Sequence, residues 1–269
     1  MPLESLDTPT VGEAQTRGGL YALLAATWRY PDEVNVSLLT DMTRRLSGDP
    51  DVLCPLDADT REALGRLAEC LLTEGDVGRI EGDMRASYAA LFGHAVRGAC
   101  PLYEQEYGHG EIVQQASELA DIAGFYRAFG LEPNEAAMDR IDHVSVECEF
   151  MSVLCAKEAF GLQSENPELS DTSSDGQRAF LRDHLAQWLP AFCSRVSKAV
   201  SDGAHVRAAV LASTFLGAEC RRFGITAGPT YLKLRPVDPQ ADVEINCGDA
   251  APGDQLVPLT IEGGAVEGA

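Results

Sequence analysis

The chain is 269 residues long, 45% hydrophobic, and carries 42 Asp and Glu against 21 Lys and Arg, a formal net charge of -21. That length and apolar content suffice for one large domain or two small ones around a sizeable core. The charge repels phosphate backbones and anionic membrane faces over a screening length of about 8 Å, which excludes nucleic acid and acidic lipid as partners.

Residues 1–20 have no basic start and no apolar run, so no secretory leader is expected and the cytoplasm is the expected location. Apolar residues then recur at helical spacing up to residue 224, with no alternating β-branched run, which makes the predicted class all-α. The first helix carries Leu20, Leu23, Leu24 and Trp28 and stops at Tyr30-Pro31, because proline disfavours helical geometry in the residue before it. Further helices are predicted over Glu33–Leu46, Asp59–Leu72 and Val77–Phe92. Residues 93–110 break the pattern with glycines, Pro101, Tyr103 and Tyr107; tyrosines in such a loop are expected to lie on the helices or face a ligand.

A fifth helix is predicted from Glu111 to Phe129 and a sixth from Pro133 to Phe160, with Met138, Ile141, Val144, Cys148, Met151 and Cys155 as its seam and Gly161 closing it. Residues 162–175 read as a polar linker between two helical lobes. The seventh helix carries Phe180, His184, Trp188, Phe192, Val196 and Val200, with Pro190 as a kink, and the eighth runs from Asp202 to Phe223 before Gly224. Residues 226–269 hold seven acids, two bases, five prolines and six glycines and read as a mostly disordered tail, with Tyr231 to Leu234 as a short extended piece against the core. The expected organisation is a flexible N-terminus (1–15), a helical-bundle domain of about eight helices (16–224) with a polar hinge at 162–175, and a Gly/Pro/acid-rich tail (225–269).

No window reaches the ~20 apolar residues of a membrane span. The eight cysteines form no CxxC pair and read as core thiols, Cys148 and Cys155 on one helix face. The only lysines are Lys157, Lys198 and Lys233, a bias that a salt-rich cytoplasm or a GC-rich genome would each produce. No phosphate loop, nucleophile elbow or dinucleotide fingerprint is present, and Gly108-His109-Gly110 lacks both the following glycine and a preceding strand.

Two constellations carry polar chemistry. Glu106-x-x-His109 has the spacing used in di-iron bundles but occurs once, in a loop; with His143 and Glu147 at i and i+4 it defines the metal-enzyme alternative. Asp142 and His143 interrupt an otherwise apolar helix, either as a satisfied buried pair or as a polar anchor lining a groove between the fifth and sixth helices and the 93–110 loop. His184 and Trp188 read as interhelix packing.

Three blocks in order resemble the TorD/DmsD/NarJ family of redox-enzyme maturation chaperones. They are YAALF (Tyr88 to Phe92) with CPLYEQEYG (Cys100 to Gly108); GFYRAFGL (Gly124 to Leu131) with Asp142-His143 and ECEFM (Glu147 to Met151); and FLRDHLAQWLP (Phe180 to Pro190). The Glu-x-Pro-x that precedes the DH pair in part of the family is here Met138-Asp139-Arg140-Ile141, so Asp139 stands for the Glu and the proline is absent. That departure turns the resemblance toward chaperones of type II molybdoenzymes such as nitrate, selenate or chlorate reductases or dimethyl-sulfide dehydrogenase.

The resemblance implies a cytoplasmic non-enzyme chaperone that binds the apo catalytic subunit of a molybdoenzyme, or its twin-arginine leader, until the molybdopterin cofactor is inserted. It also implies no cofactor or metal of the chaperone's own, and a monomer, with a helix-exchanged dimer as the alternative. A leader has a basic start and an apolar stretch, so its host needs an apolar groove and carboxylates. Tyr88, Phe92, Pro101, Tyr103, Tyr107 and Phe150 are the candidates for the groove; Glu104, Asp142, His143 and Glu147 are the polar candidates.

Overall fold

A computed structural model describes residues 9–72, 77–93, 98–108, 112–132 and 140–236. Ten α-helical segments occur among them: α1 Val11–Trp28, α2 Glu33–Gly48, α3 Pro50–Leu53, α4 Ala58–Leu71, α5 Val77–Phe92, α6 Ile112–Ala128, α7 Val144–Gln163, α8 Pro167–Phe180, α9 Ala186–Ala199 and α10 Ala204–Phe223. A 3-10 turn, Glu104–Glu106, lies between α5 and α6, and a π-helical turn, Leu181–Leu185, joins α8 to α9. The all-α expectation holds: two isolated β-bridges are the only extended pairing among the described residues. No helix among them is long and apolar enough to cross a membrane.

The first helix starts earlier than the flexible 1–15 segment implied, because Thr10 and Glu13 form a reciprocal cap: Glu13 N–H donates to Thr10 Oγ1 (3.2 Å) and Thr10 N–H to Glu13 Oε2 (2.7 Å). Leu20, Tyr21, Leu23, Leu24, Ala25 and Trp28 bury nearly every face of α1, which makes it the central helix. It lies along α7 with Gly18 at the contact, where an added Cβ would sit 3.2 Å from Cys155 Cβ. Across the bundle, Trp28 meets Phe92 and Phe192 edge-on. The seven described cysteines are free thiols, five of them buried among these side chains.

A polar knot that the sequence did not disclose ties α1 to α7, α8 and α10. Arg17 donates to Glu158 (2.5 Å), Gln177 (2.7 Å) and Glu219 (3.3 Å); Gln177 and Arg222 also donate to Glu158, and Tyr21 to Glu219. Arg17, Glu158, Gln177 and Glu219 are all buried.

Three expectations are corrected. The sixth predicted helix is not continuous: residues 140–143 form a turn, α7 begins at Val144, and His143 is its N-cap, with Pro133 and Met138 outside the described residues. The helix runs past Gly161 to Gln163. Gly161 serves instead as a close approach, since a Cβ there would lie 2.6 Å from the Ser170 nitrogen. Residues 167–175, read as linker, are the first turns of α8, capped by Asn166 with Pro167 at the start and with Ser170 and Ser173 buried. Gly161→Ala should therefore push α8 off α7 and lower stability by about 1–3 kcal/mol. An unchanged denaturant midpoint would count against this close packing.

Pro190 lies inside α9 and cannot donate to the Ala186 carbonyl. That carbonyl instead accepts from Gly228 N–H (2.8 Å), brought in by the chain beyond α10. Gly228 is required there, because a Cβ would fall 2.2 Å from the Gln187 carbonyl oxygen. The compact unit accordingly runs on past Gly224 to Arg235. The extended piece is real: Gly108 N–H donates to Lys233 O (2.9 Å) and Arg235 N–H to Glu106 O (3.0 Å), around an antiparallel bridge between Tyr107 and Leu234. The expected tail from residue 237 onward lies outside the described residues.

Candidate functional site

The turn Leu102–Gly108 is laid across the entry to α7 and fixed there by Asp142. Backbone bonds run from Val144 N–H to Leu102 O (2.8 Å) and from Glu104 N–H to Asp142 O (3.0 Å), with a bridge between Tyr103 and His143. The buried Asp142 carboxylate accepts from Gln105 N–H (3.1 Å) and from Arg140 (2.7 and 3.0 Å). Arg140 in turn lies over the Tyr103 ring. His143 Nδ1 accepts from Ser145 N–H (3.1 Å), and its ring meets Tyr103 edge-on. Tyr107 closes the turn by donating to Pro101 O (2.8 Å). Asp142 and His143 thus act as a satisfied pair that positions the turn, and they precede the helix rather than interrupting it.

What the turn positions is Glu104. Its carboxylate faces His184 Nδ1 (3.3 Å), while His184 Nε2 faces Asp121 (3.1 Å). The π-turn carries His184 inward between Phe125 and Phe180. One helical turn on, Trp188 Nε1 donates to Glu147 (3.1 Å) and its ring lies against Tyr107. His184 and Trp188 pack between helices as expected, and each in addition bonds a carboxylate, Glu104 and Glu147 respectively.

Electrostatically the site is poised. Burial, then the neighbouring Glu104 carboxylate, push Glu147 well above its ordinary value, and burial also raises Glu104. Burial works to lower the His184 value, but its bonds to Glu104 and Asp121 outweigh that, so His184 holds its proton more firmly than a free imidazole. A carboxyl whose folded pKa is raised stabilises the fold below its unfolded value, near 4.3, and loses that contribution as the pH rises through the folded value. Glu147→Gln should accordingly gain stability relative to the unmodified chain as the pH rises from the ordinary carboxylate range toward the raised value. Denaturant midpoints for the two proteins that stay parallel with pH would contradict a protonated Glu147.

Beside these groups opens a cleft of about 730 Å³, lined by Glu104, Glu118, Asp121, Asp183 and His184 on one side and by Pro229, Leu232 and Arg235 on the other. A second cleft, about 470 Å³ and mostly apolar, lies between α1, α2 and α7. Ala26, Met42, Tyr126, Val146 and Phe150 line it, and the Arg29–Glu149 ion pair borders it.

The structure thus gathers Pro101, Tyr103, Glu104, Tyr107, Asp142, His143 and Glu147 into one region. Phe150 is buried but reaches the apolar cleft. Tyr88 and Phe92 sit apart, at the end of α5, in edge-on contact with each other and with Tyr30, Trp28 and His205. Of the residues of the metal alternative, His143 is an N-cap and Glu147 faces Trp188, while His109 lies outside the described residues, as does Asp139. Among the described residues no group of three or more His, Cys, Asp or Glu is placed to hold a metal ion. Glu118, Asp121, Arg140 and Arg235 were missed. Glu118 and Asp121 are one turn apart on α6, a signal that was present but indistinguishable from an ordinary solvated face.

The described residues form an all-α bundle with an acidic turn pinned across the entry to α7. A family profile described as nitrate reductase delta subunit matches residues 54–194, more than half of the chain, and the chain belongs to this family of TorD/NarJ-type maturation chaperones. It is 33% identical over 135 residues to the perchlorate reductase assembly chaperone protein of Dechloromonas aromatica (strain RCB), covering 49% of this chain and 59% of that one. It is 31% identical over 145 residues to the chlorate reductase assembly chaperone protein of Ideonella dechloratans, covering 52% of this chain and 68% of that one. The match to the first of these relatives therefore spans less than two thirds of its length.

Proposed function

We propose that this chain is a cytoplasmic, non-catalytic chaperone that binds the apo catalytic subunit of a molybdenum-containing oxyanion reductase, or that subunit's basic leader, until the molybdopterin cofactor is in place. The observation that carries this reading is the acidic cleft at the Glu104 turn. Four carboxylates, Glu104, Glu118, Asp121 and Asp183, line one opening, and Asp142 and His143 hold its wall in place. A cleft of that sign attracts and orients a cationic segment, and the net charge of -21 adds steering that weakens with salt. The apolar cleft beside Phe150 suits the hydrophobic stretch that follows a basic start in a leader.

Supporting observations are the names of the relatives, both reductase assembly chaperones, and the family to which the chain belongs. A monomer fits the short α7–α8 connection, whose residues Ser164, Glu165 and Asn166 are held by backbone bonds to Phe160, Leu162 and Gly161. The test is capture of the cofactor-free catalytic subunit by the tagged chain from cells that make both. The expected result is a complex that dissociates once cofactor is inserted and that weakens when salt is raised; no association with the subunit or its leader peptide overturns the reading.

A further inference from the structure

The chain beyond α10 is held in two different ways. Upstream, Gly228 is locked by its bond to the carbonyl that Pro190 leaves open, and no side chain fits there. Downstream, Leu232–Arg235 is held by backbone pairing to Glu106 and Gly108, one bond from Arg195 to Leu232 O (3.1 Å), and the Arg235 side chain. Arg235 is buried, donating to Gln105 Oε1 and Glu118 Oε2, both at 3.1 Å, while Gln105 also donates to Glu118 (2.8 Å). Little apolar burial backs this up: Tyr231 is 69% exposed, Lys233 is exposed, and Leu232 and Leu234 are half-buried. A segment tied mainly by backbone bonds and one arginine at a cleft edge opens locally at far less free energy than the bundle unfolds. Lys233 and Arg235 are also the only bases in residues 226–269, and Arg235 lines the acidic cleft.

We propose that the edge Gln105–Gly108, with Glu118 beneath it, is a docking site for an extended arginine-bearing segment, and that Leu232–Arg235 is its resident, displaceable occupant. The site binds by strand addition: main-chain bonds to Glu106 O and Gly108 N–H supply affinity, and the Gln105–Glu118 pair selects a guanidinium. Rest of the cleft, with Glu104, Asp121 and Asp183, stays open for further cationic residues of an incoming segment. The inference rests on the reading above in that the competitor in the cell is the client's basic segment. A resident occupant reduces the affinity of any competitor to its intrinsic value multiplied by the fraction of time the site is vacant, so that only a tightly bound segment displaces it.

The test uses the full chain and a synthetic peptide copying residues 229–236 (PTYLKLRP), with a second peptide carrying Ala in place of the arginine. Arg235→Ala should bind the first peptide about tenfold or more tighter than the unmodified chain does. It should bind the alanine peptide more weakly than the arginine peptide, and Glu118→Gln in the same background should remove the gain. In the unmodified chain, excess arginine peptide should speed hydrogen exchange at the Arg235 amide, which loses its bond to Glu106 O, while the Gly108 amide stays bonded to one occupant or the other. If Arg235→Ala keeps its helical circular dichroism yet binds the peptide no tighter, or if exchange at the Arg235 amide ignores the peptide, the docking edge is wrong. Client capture intact in that case leaves the chaperone reading standing, whereas peptide binding without client capture removes the chaperone reading alone.

Discussion

Replacing Arg17 by methionine should lower the melting temperature by roughly 10 °C, the largest stability effect expected of any single change in the bundle. Methionine fills much of the same space, so packing is not the main loss. The loss is electrostatic: Glu158 and Glu219 remain buried, and each loses its bond to the guanidinium. Breaking a buried pair by removing one partner costs about 3–5 kcal/mol, and in a domain of this size each kcal/mol moves the midpoint by about 2–4 °C. Burial works to raise the Glu158 pKa, but Arg17, Gln177 and Arg222 together bring it below its ordinary value. Its stabilisation is therefore present above the usual carboxylate range and lost as the pH falls through the lowered value. The Arg17→Met deficit should accordingly shrink on acidification. Exchanging Arg17, Glu158 and Glu219 together for apolar residues should restore most of the midpoint. A shift under about 2 °C for the single variant would mean that the knot is not a buried ion-pair cluster.

The largest functional effect is expected from Asp142→Ala. Asp142 lines neither cleft, yet it holds the Gln105 amide and Arg140, and through them the turn that presents Glu104. Removing it leaves the buried Gln105 amide unmatched, about 1–3 kcal/mol of stability, while the half-exposed Arg140 turns to water, and a bundle of this size tolerates that loss. Client capture should fall about tenfold or more, because the carboxylates lose their fixed geometry rather than their charge. Asp142→Asn keeps one acceptor for the Gln105 amide and should fall between. Parallel melting curves separate the loss of capture from loss of fold; full capture by the alanine variant would show that the turn needs no such peg.

Much of the bundle could be read from periodicity alone. Residues 77–92 and 33–48 follow the apolar spacing closely, and Gly224 ends α10 in the left-handed conformation that glycine favours. The break at residues 140–143 could not be read this way, because Ile141, Val144, Cys148 and Met151 keep one helical register across it. What interrupts the helix is a tertiary contact, the pairing of Tyr103 with His143 and the Asp142 bond to Gln105, and no local pattern records it. Start signals for α8 were in the sequence, as Asn166 and Pro167, but its serine-rich face resembled a linker because small polar side chains can be buried against a neighbouring helix. The acids of the site were found at Glu104, Asp142 and Glu147 through their motif. Arg17 was not, since its partners lie 141, 160 and 202 residues away. Arg235 was hidden by composition: its surroundings are those of a tail, and its place is set by backbone bonds that sequence does not display.

The central claim is that the Glu104 cleft is where the client is held. Its most direct test is the amount of cofactor-free catalytic subunit retained by the tagged full chain, compared with that retained by a Glu104→Gln, Asp121→Asn double variant of unchanged helicity. The account predicts a stable complex with the unmodified chain and a loss of about tenfold or more with the variant. Equal retention by the two would place the client elsewhere on the bundle.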